Sequence, residues 1–140
     1  MVGTRPEGCS QTEEALLTGM AGEGEQAAVL SALAGVRRGD PVAAVGCGRI
    51  TVASLAAGCG VPLVDVATAG DEAAKVVVVG KAFDVPGALR LLAPGGRLVA
   101  IAADRGAAER VAVGAGLVLR HVERLGGQVA WSAVRPAAGP

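Results

Sequence analysis

Apolar and polar positions along the chain change period several times. From Glu25 to Val36, EQAAVLSALAGV sets Val29, Leu30, Leu33 and Val36 at helical spacing, and RRGDP at 37–41 breaks the pattern. Short, solidly apolar runs follow. VAAVG at 42–46 lacks the polar alternation of a half-exposed strand and predicts a fully buried one. Residues 49–58 predict a helix, VPLVDVA at 61–67 a second strand, and TAGDEAA a connector. KVVVVG at 75–80 carries the strongest strand signal, and VPGALRLLA at 85–93 predicts a helix stopped by PGG at 94–96. RLVAIAA at 97–103 predicts another strand, and Asp104 is placed to cap a helix through about Val113. GLVLRHVERL and QVAWSAV, joined by Gly126 and Gly127, predict a terminal hairpin.

Strands alternating with helices and ending in a hairpin predict an α/β fold: a Rossmann-like, doubly wound, mainly parallel sheet with an antiparallel C-terminal strand. Right-handed crossovers bring the carboxyl ends of the parallel strands to one rim, where a ligand is expected. Residues 1–23 are polar and dotted with glycine, and they are expected to form a flexible or partly helical N-terminal arm. The folded domain is expected over 24–136, with a tail at 137–140. A chain of 140 residues favours one domain and is long enough to bury a core without staples.

Composition narrows the function. Thirteen basic and thirteen acidic residues cancel, so no overall field draws the chain to nucleic acid or an anionic membrane. Phe83 and Trp131 are the only aromatics, too few for a base-stacking platform. Cys9, Cys47 and Cys59 form no CxxC pair and the chain has a single histidine, which argues against a metal site. With no leader pattern and no apolar run of about 18 residues, a cytoplasmic protein with reduced thiols is expected. Arg120, His121, Glu123 and Arg124 are expected on a solvated strand face, and Trp131 in the packed sheet.

The chemistry concentrates at the turn after the first strand. Gly46 and Gly48 let the backbone turn sharply and let a ligand approach it, with the first amides of the following helix facing that ligand. Cys47 lies inside the turn, and no patterned histidine supports it as a nucleophile. Asp65 falls 17 positions after Gly48 (65 − 48), about where a carboxylate accepts hydrogen bonds from ribose hydroxyls. Turn geometry alone explains the glycines, and a local capping role alone explains Asp65.

The succession VAAVGCG, VPLVDVA, KVVVVGKAF, ALRLLAPGGRLVAIA and GLVLRHVERLGGQVAWSAVRP, covering about residues 25–136, resembles class I S-adenosylmethionine-dependent methyltransferases. LLAPGGRLVAIA followed by the terminal hairpin is the most specific part, since simple dinucleotide-binding domains lack the reversed last strand. The short segment after KVVVVG, the late LGG and Trp131 are similar to methyltransferases acting on precorrins. The resemblance implies that Gly46, Cys47 and Gly48 lie under the methionine part of S-adenosylmethionine. Asp65 would hold the ribose, and Lys81 and Ala82, with Phe83 beside them, would line the pocket mouth.

The chain departs from that family pattern in ways that imply a degenerate cofactor site. Ala44 stands where an acid is usual, and Ile50 where a third glycine is usual. Nine residues separate Asp65 from Lys75, so one helix–strand unit with its acidic contact to adenine is missing. No polar catalytic motif follows KVVVVG. Losing two contacts at about 1.5–3 kcal/mol each would weaken binding roughly 10²- to 10⁴-fold. Three functions stay open: a small-molecule methyltransferase, a catalytically inactive structural or regulatory subunit of the same fold, and an NAD(P)-binding module. The shortened fold leaves VPLVDVA as an apolar edge strand, which predicts a homo- or hetero-oligomer, or cover by the N-terminal arm.

Overall fold

The computed structural model describes residues 22–81 and 84–137. The predicted arm therefore lies outside the described residues up to residue 21, as do Ala82, Phe83 and residues 138–140. Gly22 and Glu23 already belong to a helix: α1 runs Glu23–Ala34, with Gly22 at its N-cap.

Five strands form one sheet in the order β1-β2-β3-β5-β4, with β1 at Val42–Val45, β2 at Ala74–Val79, β3 at Leu92–Ala102, β4 at Val118–Leu125 and β5 at Gln128–Val134. β1, β2 and β3 are parallel, and β5 pairs antiparallel with both β3 and β4. The predicted α/β class and reversed last strand are both present. Helices cover both faces. α1 and α2 (Arg49–Cys59) bury Leu30, Ala34, Leu55 and Cys59 against Val42, Val76, Val78 and Val99. On the other face lie α3 (Val85–Ala88), a 3₁₀ turn at Leu89–Leu91, and α4 (Arg105–Gly114). They bury Val85, Ala88, Leu91, Ala108 and Ala112 with Val77, Leu98 and Trp131. Asp104 caps α4, its Oδ1 accepting from Ala107 N at 2.8 Å.

Two expectations are corrected. VPLVDVA is not a strand: a single hydrogen bond, Val64 N to Val42 O (2.8 Å), ties the segment to the outer side of β1. Pro62 has no N–H for a ladder. Asp65 then turns the chain, its carbonyl accepting from Thr68 N and Ala69 N. The edge of the sheet is therefore β1. Second, PGG does not end a helix at 93. The helical stretch closes at Leu91 and β3 begins at Leu92, with Gly95 and Gly96 inside an irregular start of the strand. Gly95 N donates to Arg135 O and Arg135 N to Gly96 O, so the chain leaving β5 holds this segment extended.

Candidate functional site

The rim of the parallel strands is built by close backbone approach. β1 ends in Gly46, whose φ of +66° favours glycine. β2 ends in Gly80, whose N–H donates to Val45 O at 2.8 Å. A Cβ on Gly80 would stand 2.3 Å from Gly46 O and 2.9 Å from the Cys47 Cα. The two strand ends are thus in backbone contact, and only glycine fits between them. Cys47 points down between the strands, its thiol directed at Val78 O (3.4 Å) and Val45 O (3.7 Å). Burial pushes this thiol above the ordinary range, against the opposing pull of hydrogen bonds to the Val45 and Gly80 backbone. A raised thiol is the reverse of what a nucleophilic cysteine needs.

Two carboxylates flank the turn, and sequence reasoning missed both. Asp84 Oδ2 lies 2.5 Å from where a Gly46 Cβ would stand, so the absence of that side chain leaves room for this acid. Lys81 Cγ is 3.6 Å from the same point. Glu23, in the first turn of α1, reaches across to the start of α2. Its Oε1 accepts from Ile50 N at 3.1 Å and lies 2.5 Å from a would-be Gly48 Cβ. Gly48 is the N-cap of α2 and has no capping side chain of its own, so Glu23 supplies the cap from 27 residues away. One residue further, Thr51 is buried and its hydroxyl has no hydrogen-bond partner.

Of the residues singled out in sequence, Gly46, Cys47, Gly48 and Lys81 are brought together at this rim, and Ala82 is outside the described residues. Asp65 is exposed on the segment outside β1, and its Oδ1 accepts from Ala67 N at 3.1 Å. Among the described residues no three His, Cys, Asp or Glu side chains are grouped to hold a metal ion, and no helix is long and apolar enough to cross a membrane.

Solved structures share this architecture. A SAM-dependent O-methyltransferase from Thermotoga maritima superposes with a TM-score of 0.58 at 10% identity, over 82% of this chain and 66% of that one. The fold is the methyltransferase fold. The Burkholderia thailandensis 1,6-didemethyltoxoflavin-N1-methyltransferase, solved with its substrate and S-adenosylhomocysteine, matches with a TM-score of 0.54 at 16% identity, over 79% of this chain and 76% of that one. A Haloferax volcanii methyltransferase in complex with the Trm112 methyltransferase activator matches with a TM-score of 0.53 at 15% identity, over 80% and 89%. No protein-family profile and no curated protein sequence matches the chain. At these identities the likeness is one of fold, and this methyltransferase-like chain spans about two thirds of the Thermotoga protein.

Proposed function

We propose that this chain binds S-adenosylmethionine at the glycine turn and acts as a methyltransferase-like protein of small-molecule metabolism, with a cofactor site reduced relative to its fold neighbours. The observation that carries this reading is the pair of carboxylates, Asp84 and Glu23, over Gly46 and Gly48. S-adenosylmethionine carries a sulfonium and an ammonium at its methionine end. Two acids at the turn favour such cations, and Asp84 offers the charge that Ala44 does not. The same acids oppose a pyrophosphate. A dinucleotide needs the helix-start amides, and the Ile50 amide is already bonded to Glu23. The NAD(P) reading is therefore disfavoured on charge.

When bound, the cofactor supplies an activated methyl group, so the protein's part is chiefly to bind and orient. Gly46 and Gly48 let the ligand approach the main chain. Asp84 and Glu23 hold the cationic end, and Lys81 and Ala82 line the mouth. Asp65 takes ribose hydroxyls with Oδ2, since Oδ1 is engaged by Ala67. The similarity of the terminal segments to precorrin methyltransferases points to a small organic substrate. The Haloferax complex makes a protein partner a reasonable companion in a cytoplasmic assembly.

A second reading, the same fold kept as an inactive structural or regulatory subunit, draws on the Glu23 contact: a seat at the start of α2 is filled by the chain itself. Isothermal titration with S-adenosylmethionine, S-adenosylhomocysteine and NADH separates the readings. Submillimolar binding of the adenosyl ligands, without NADH binding, is expected. Asp84→Asn should weaken S-adenosylmethionine about tenfold, and S-adenosylhomocysteine less because it lacks the sulfonium charge. No binding of any ligand would favour the inactive subunit, and NADH binding most tightly would overturn the proposal.

A further inference from the structure

α1 has two flanks. One packs on α2, where the Ser31 and Ser54 hydroxyls lie 2.9 Å apart. The other faces an open cleft of about 830 Å³ above β3, β5 and β4, away from the glycine turn. That volume falls in the range of small-molecule sites, roughly 300–1,000 Å³. The helix side of the cleft is apolar: Ala28, Val29, Ala32 and Leu33 all turn toward it. A surface helix normally carries polar residues there.

The sheet side has the opposite character. Arg97, Arg120, His121, Glu123 and Ser132 line it. A β-bulge brings two of these side by side. β4 pairs Leu119 with Ala133 and then His121 with Ser132, so Arg120 is the extra residue. A bulge re-aims a side chain, and here Arg120 and its neighbour His121 both line the cleft. Arg120, His121 and Glu123 form no ion pair among the described residues. Ser132 is 1% exposed, and its hydroxyl makes no hydrogen bond among the described residues although it borders the cleft. A buried hydroxyl without a partner is costly, and one facing a cavity is positioned to bond what enters it. Arg97 closes one end, with Nη1 donating to Ala34 O at 2.8 Å at the last turn of α1.

We propose that this cleft binds a small amphipathic anion: an elongated apolar body lying on Ala28, Val29, Ala32 and Leu33, ending in an acid group received by Arg120, with Arg97 beyond it. Ser132 bonds the acid or its neighbouring oxygen. Glu123 repels the acid from the opposite end and so fixes the ligand's direction. The site is separate from the glycine turn and does not depend on the function proposed for that turn.

The test uses the full chain with the fluorescent anion 1-anilinonaphthalene-8-sulfonate and with dodecanoate as competitor. Saturable one-to-one binding is expected, displaced by dodecanoate and unaffected by S-adenosylmethionine. Arg120→Glu and Ala32→Glu, both at exposed positions, should each weaken it at least tenfold while melting at the wild-type temperature. Glu23→Gln should leave it unchanged. Non-saturating fluorescence, indifference to both substitutions, or displacement by S-adenosylmethionine would overturn the proposal. So would a cleft closed to the probe, whether sedimentation then shows a dimer filling it with a second copy or a monomer filling it with residues 1–21.

Discussion

The parallel and antiparallel halves of the sheet are held together by different means. Where β1 and β2 end, backbone meets backbone: Gly80 leaves no room for a side chain over Gly46 and Cys47. Where β3, β5 and β4 pair, side chains fill the space, with Trp131 fully buried among Leu98, Ala100, Ala108 and Ala112. The first half is tight because a ligand-facing turn needs an exact path for the chain. The second is tight because a large ring displaces solvent. One half fails by crowding and the other by emptying.

Emptying should cost most. Trp131→Ala is expected to lose about 3–5 kcal/mol in urea unfolding, whereas Trp131→Phe should lose far less, because the indole N–H it removes has no partner in the fold. A small cost for the alanine variant would break the contrast. Crowding comes next. Gly80→Ala should lose about 3 kcal/mol, since the atoms it meets are backbone and cannot swing aside, while Gly70→Ala, with open space around it, should be nearly neutral. Equal melting of the two variants would show that the strand ends are loose.

A smaller effect sharpens the second half. Asp104→Ala should cost about 1 kcal/mol by uncapping α4, which packs on the Trp131 face. The smallest effect belongs to Cys47. Its folded pKa is raised, so its contribution to stability is whole below the ordinary thiol pKa and fades as pH rises above it. Iodoacetamide labelling followed by peptide mass spectrometry should find Cys47 far slower than the thiols of the unfolded chain near neutral pH. Labelling should quicken about tenfold per pH unit as pH rises, until the thiolate dominates. Fast labelling at neutral pH would mean that the thiol does not point down between the strands.

The sequence made most of the sheet legible because buried strands such as VVVV admit little else. It misled at VPLVDVA, where apolar content suggested a strand. A strand needs a ladder, and this segment has one bond to β1, a proline, and an aspartate that turns the chain. PGG misled for a related reason: the partner that extends it, Arg135, lies forty residues on. At the candidate site the glycines were visible as a local signature, but Glu23 and Asp84 were not. Glu23 reaches the turn only because α1 begins two residues before the predicted Glu25 and lies beside α2. Asp84 does so only because α3 starts under the rim. An acid in the first turn of a helix that precedes a glycine-bearing strand, and another four residues after that sheet's next strand, are the signals that could have found them.

The bulge at Arg120 also bears on how molecules meet in crowded solution. It interrupts the outer ladder of β4, beside the charges of Glu123 and Arg124, so a neighbouring chain finds no straight row of amides to extend. The opposite border, β1, is shielded only by a strip that begins with a proline and is anchored at Val64. Fibril growth under mild destabilisation should therefore start from the β1 border.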